Sequence, residues 1–353
     1  MDDADINDIR LIKDFKGKSF SEFKKSKVKS QLLNSLSESK IEPSCYWSVE
    51  LICAGHFQDL WDVMLLFIGK YIHLGNPKLP IYIDMRFNNF RDILSKGYLD
   101  NELNMRNNKK IRNIFGEIIC ILCHSPKKYA IEAVKIKDKS VFDITQMTNK
   151  LKAPNISYAH LIFKKNDPKE LFIAINEFSY NVVTKKCVGA CFWVEWIIEF
   201  EAICKKRNQK CCCERRSFAP VQDKYQTDII WMIWEILIKV GEKKNIIILN
   251  RIIEALINIF SIRYTNCTKK KRKFLIYYAI TLITESVNFD VSIIDDEKKT
   301  SHIIKKINVI YKQVKKNEKS PKTDYLFMGT NKQSNLEKTI NKLELMNSAL
   351  RGI

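Results

Sequence analysis

Apolar positions recur at three- and four-residue steps through most of this chain, the spacing that lines up one face of a helix. The clearest run is Val49, Ile52, Cys53, Phe57, Leu60, Trp61, Met64, Leu65, Phe67 and Ile68. The segment Leu74-Gly75-Asn76-Pro77-Lys78-Leu79-Pro80 ends it with turn chemistry. Helices are predicted next over 84–96 and 108–123, the second with Ile111, Ile114, Phe115, Ile118, Ile119 and Leu122 on one side. From 125 to 165 the pattern loosens, and 130–136, 141–144 and 157–163 read as strands or irregular chain. Asp167, Pro168 and Glu170 then spell a helix start: a cap, a proline in the first helical position and the acid of a capping box. Helices follow over 170–183, 188–206, 222–240, 246–264 and 270–286.

The expected fold is mainly α: a first helical block over 41–124 and a second over 167–290, bundled or stacked as a solenoid. An irregular or short-stranded connector over 125–166 joins them. Residues 1–40 read as a basic N-terminal arm with a helical piece over 19–35. Residues 291–353 read as a basic, partly disordered tail with weak periodicity over 302–314 and 335–346. With 10 Gly and 8 Pro in 353 residues, tight turns are scarce, which favours long helices over a sandwich or barrel. One internal echo stands out: Cys45-Tyr46-Trp47, then Leu51-Ile52, against Cys191-Phe192-Trp193, then Ile197-Ile198. It suits a distant duplication of helical halves and chance equally well.

Charge changes the picture most. Lys and Arg number 60 against 40 Asp and Glu, a formal net charge of +20. Such an excess attracts polyanions, nucleic acid above all, or else forms a solvated surface. It is clustered at 24–29, at Lys205, Lys206, Arg207, Lys210, Arg215 and Arg216, and at Lys269, Lys270, Lys271, Arg272 and Lys273. The last cluster is expected on an inter-helix loop, its five cations facing solvent or a partner's phosphates.

The tryptophan pairs Trp193/Trp196 and Trp231/Trp234 fall at helical spacing among aliphatic neighbours and read as helix–helix core, with base stacking as the alternative. Eleven cysteines without a secretory signal after Met1 imply reduced thiols in a protein that is not secreted. Cys120-x-x-Cys123 has half of a zinc spacing, which Cys211 and Cys213 would complete. Because Cys120 and Cys123 sit in an apolar helical pattern, buried thiols and no cofactor are the expectation. No stretch reaches ~20 uninterrupted apolar residues, so no transmembrane segment is expected. Phosphate-binding loops, dinucleotide fingerprints, His-Glu-x-x-His and Gly-x-Ser-x-Gly are all lacking, and the chain reads as non-enzymatic.

Three strings resemble an uncharacterised protein family of the nucleocytoplasmic large DNA viruses, the algal-virus and mimivirus-like groups. They are Cys45-Tyr46-Trp47-Ser48-Val49-Glu50-Leu51-Ile52, Lys70-Tyr71-Ile72-His73-Leu74-Gly75-Asn76-Pro77-Lys78-Leu79-Pro80, and Cys213-Glu214-Arg215-Arg216-Ser217-Phe218-Ala219-Pro220. The resemblance spans roughly residues 18–285 and brings no catalytic residues. It implies a viral setting, in the host cytoplasm (the viral factory) or the virion. Two functions fit: a nucleic-acid-binding protein of replication, expression or genome packaging, and a virion structural protein, such as a minor capsid component, bridging other virion proteins.

Overall fold

The computed structural model describes residues 3–99, 101–133, 136, 142, 150–294 and 297–319. Among these the chain is mainly helical and holds no β-sheet, only an isolated bridge between Lys18 and Lys24. Its principal helices are α1 (Lys25–Ser37), α2 (Ile41–Cys53), α3 (Phe57–Phe67), α4 (Leu79–Ser95), α5 (Lys109–His124), α6 (Phe172–Val183) and α7 (Cys187–Lys206). They continue as α8 (Ile230–Lys243), α9 (Ile247–Phe260), the single turn α10 (Thr268–Lys271), α11 (Lys273–Thr284) and α12 (Glu297–Lys315). None is long and apolar enough to cross a membrane.

The sequence echo falls on two helical hairpins that turn in the same way. The α1–α2 turn passes through Ser39 at φ 57°, and the α6–α7 turn through Lys185 at φ 59°. In each, the left-handed residue and its successor donate their N–H groups back into the preceding helix: Ser39 to Leu36 and Lys40 to Ser35, Lys185 to Val182 and Lys186 to Asn181. This closing pair of bonds satisfies carbonyls a helix end leaves orphaned, and here it forms without glycine.

The two helical blocks share one apolar core. Helix α4 lies along α9, with Asn258 Nδ2 donating to Asp84 Oδ2 at 2.9 Å. After α3 the chain makes a π turn, Ile68–Ile72, against α11. Gly69 permits that approach, because a Cβ there would stand 3.0 Å from the backbone of Phe274. His73 follows at φ 46°, fully buried, its Nδ1 3.0 Å from Gly69 O and its Nε2 3.0 Å from Thr281 Oγ1 on α11.

Two expectations need correction, and one is resolved. Of the two readings of the connector the irregular one holds among its described residues: Ser157–Phe163 forms no strand and holds a 3-10 turn, Ala159–Leu161. Lys128 and Ala130 instead donate to Ile72 O and Lys70 O; 141–144 lies largely outside the described residues. The N-terminal segment is not a free arm, since Ala4, Ile6, Phe15 and Phe20 are buried in the core. Helix α12 packs back on α5 and α2, burying Ile307, Ile310, Tyr311 and Val314, while 335–346 lies outside the described residues. A smaller correction concerns Asp167, which caps no helix. Its carboxylate takes the Arg216 guanidinium and the backbone N–H groups of Lys164 and Glu214.

Candidate nucleic-acid interface

Helix α7 ends in Lys205 and Lys206, cations that favour the negative end of a helix dipole. Arg207 caps it and Asn208 turns the chain at φ 55°, with Asn208 N donating to Lys205 O and Gln209 N to Cys204 O. Lys205, Lys206, Arg207 and Lys210 are exposed, and no ion pair among the described residues engages them. Arg215 is also exposed but binds Asp223 at 2.9 Å and Gln226 at 2.6 Å.

Arg216 belongs to the interior. Its guanidinium makes a two-pronged contact with Asp167 (2.6 and 3.2 Å) and reaches Glu235 at 2.6 Å. It also donates to the carbonyls of Glu214 and Ile162. A planar fork with every N–H occupied holds segments of chain together and has nothing left for a phosphate.

The cluster 269–273 is likewise divided. It forms α10 and the start of α11 rather than an open loop, and only Lys270 and Lys271 face outward. Lys269 is buried, its ammonium 2.6 Å from Asp228 and 2.5 Å from Glu201. Arg272 is buried too, donating to Phe260 O, Ile262 O and Asp62. Lys273 pairs with Glu195 at 2.7 Å. The expectation of five outward-facing cations therefore fails at three positions, because distant acids engage them within the fold. The partners Asp62, Glu195, Glu201 and Asp228 carry no local sequence signal; each meets its cation only through tertiary packing.

These contacts join the two predicted clusters. Lys269 grips Glu201, and Lys270 grips Glu199 at 2.8 Å, so α10 is clamped onto the last turns of α7. Burial holds the Glu201 carboxyl above the usual carboxylate range, opposed by Lys269 and by Lys205 one turn further on. Lys270 and Lys271 thereby lie against the last turns of α7, whose end carries the exposed Lys205, Lys206, Arg207 and Lys210, with Arg215 further along the chain.

The aromatic pairs take the core role. Trp193, Trp196, Trp231 and Trp234 are buried, and Trp231 Nε1 donates to Tyr225 O at 2.7 Å. The cysteines considered for zinc sit in separate surroundings. Cys120 and Cys123 are buried in α5 close to Cys45, with Cys123 Sγ 3.5 Å from Ser44 Oγ. Burial pushes the Cys123 thiol up to about 11. Cys211 neighbours Cys204, and Cys213 donates to Asp228 O, its thiol pushed by burial up to about 12. Thiols raised in this way hold their protons, which a metal would have to displace. No group of three or more His, Cys, Asp or Glu that could hold a metal occurs among the described residues.

No protein-family model, curated protein or solved structure matches the chain.

Proposed function

We propose that this is a non-enzymatic polyanion-binding protein that takes nucleic acid along the ridge formed by the end of α7 and by α10. One observation carries the reading: of the six exposed cations there, only Lys270 has an ion-pair partner among the described residues, Glu199, and that pair lies at the surface. Cations without partners are free to exchange counterions for phosphates, which makes binding strong at low salt and largely indifferent to sequence. The resemblance to proteins of nucleocytoplasmic large DNA viruses suits a role in replication, expression or packaging within a viral factory or virion. The competing role of a virion structural protein drew on extended termini that tie neighbours together. Ala4, Ile6, Phe15, Phe20 and α12 pack into the body, so these parts of the termini do not favour it; 320–353 lies outside the described residues.

The test replaces Lys205, Lys206, Arg207, Lys210, Lys270 and Lys271 by Gln and titrates labelled DNA and RNA by fluorescence anisotropy across a salt series. The slope of log affinity against log salt should fall in magnitude by up to ~5, since each phosphate contact contributes ~0.9. Affinity should drop alike for unrelated sequences. An unchanged slope, or no binding by the parent at low salt, overturns the proposal.

A further inference from the structure

A second basic surface lies at the opposite end of the sequence, and its character differs. Ile9, Leu11 and Ile12 are 52%, 57% and 51% exposed, aliphatic side chains left in water within four residues of chain. Around them Lys13, Lys16, Lys18, Lys24 and Lys27 are exposed, and no ion pair among the described residues engages them.

The segment is held firmly in this arrangement. Arg10 stacks its guanidinium over Phe15 and Phe20, 4.8 and 4.7 Å from the ring centroids, and donates to Phe20 O. The bridge between Lys18 and Lys24 and the bond from Lys25 N to Gly17 O (3.0 Å) then bring the start of α1 beside it. Nearby acids are already engaged: Asp8 by Arg10, Glu22 by Lys319, and Asp59 by Lys25 and Lys29. Asp14 accepts the Leu11 N–H at 2.8 Å. Helix α1 has neither an acid in its first turn nor a side-chain cap, so its positive end adds to the same field.

We propose that this face docks on an anionic lipid bilayer. Ile9, Leu11 and Ile12 enter the headgroup region, and Lys13, Lys16, Lys18, Lys24 and Lys27 meet the lipid anions around them. Nucleic acid suits the face less well, because it gains nothing from aliphatic side chains, whereas a bilayer rewards both features at once. The attachment is peripheral, in keeping with the lack of a membrane-crossing helix among the described residues.

Sedimentation with vesicles of phosphatidylcholine containing phosphatidylserine tests it. The full chain should bind these and not pure phosphatidylcholine. Leu11→Asp with Ile12→Asp should weaken binding at least ~10-fold. Lys16→Gln, Lys18→Gln, Lys24→Gln and Lys27→Gln together should weaken it on the order of 1,000-fold. The six-Gln variant of the α7–α10 ridge should leave it unchanged, which separates this proposal from the nucleic-acid reading. Leu11→Trp, a change at an exposed position, should shift its emission to the blue on serine-containing vesicles. A parent that does not sediment, a Leu11→Trp spectrum that does not move, or an aliphatic double variant that binds like the parent overturns the proposal. In the last case the face is a general polyanion surface open to nucleic acid.

Discussion

Replacing Lys269 by Met tests whether the cation is a structural member or a binding residue. Its side chain is 4% exposed, and the ammonium is shared between Asp228, itself 3% exposed, and Glu201. Tyr264 donates its hydroxyl to Asp228 Oδ2 at 2.9 Å and Ile230 its N–H to Asp228 Oδ1 at 3.0 Å, so neutral groups already crowd this carboxylate. Met keeps the length and removes the charge, leaving a buried carboxylate uncompensated, a change that costs ~3–5 kcal/mol. The unfolding entropy of a chain this size converts that into a fall in Tm of roughly 4–7 °C. Lys271→Met, two residues further on and exposed, should stay within ~0.5 kcal/mol. Asp228→Asn added to Lys269→Met should recover part of the loss, because removing both charges is far milder than removing one. Thermal unfolding followed by circular dichroism, with urea titrations alongside, is run on the parent, Lys269→Met, Lys271→Met, Asp228→Asn alone and the double variant, which closes the cycle. Equal Tm for the Lys269 and Lys271 variants, or strict additivity in the double variant, would refute the reasoning.

Two more outcomes follow from buried titrating groups. Burial holds the His73 imidazole down at about 4, so between pH ~6.5 and 4 the unfolded chain takes up a proton that the folded chain refuses. Stability is lost as pH falls through that window, by up to ~3 kcal/mol, and burial depresses His56 in the same direction. His73→Asn should flatten the profile; identical urea midpoints against pH for parent and variant would contradict this. Cys187, the first residue of α7, accepts a hydrogen bond from Cys191 and lies 3.5 Å from Thr281 Oγ1, and its thiol is drawn down to about 6. Its alkylation by iodoacetamide should be half-maximal near pH 6 and vanish in Cys187→Ser, read by mass spectrometry; a rate that rises only above pH ~8 would count against it.

The fold was legible where an element buries a wide apolar stripe. Helices α3, α5, α8 and α9 all present such a stripe, and each lies within or close to the span its periodicity predicts. The N-terminal segment, which escaped notice as core, buries few residues at irregular intervals. Ala4, Ile6, Phe15 and Phe20 are separated by charged positions and show no period, and only contact with the rest of the molecule reveals that they are core. Helix α12 bears out the weak helical periodicity read over 302–314, with Ile303, Ile307, Ile310 and Val314 at helical steps, yet the lysines between them hid that this face is buried. The π turn at Ile68–Ile72 had no signature beyond Gly69, whose meaning depends on Phe274, more than two hundred residues away.

The basic clusters were legible as charge but not as surface. Coulomb attraction does not depend on sequence distance, and Lys269 lies 41 residues from Asp228 and 68 from Glu201, beyond any local pattern. One usable signal was present. Read as helix instead of loop, 268–276 puts Thr268, Lys269, Arg272, Leu275 and Ile276 on one face, at the i, i+3, i+4 and i+7 steps that mark apolar stripes elsewhere in the chain. All five are buried, while Lys270 and Lys271 point away. A cation on such a face is costly unless paired, so its presence there implies acids converging from other helices. Helical phase therefore sorts a run of like charges into interior and exterior members, and only the exterior members are free to meet phosphate. By that criterion Lys270 and Lys271 belong with the four exposed cations at the end of α7, whereas Arg216, Lys269 and Arg272 are parts of the core that happen to be basic.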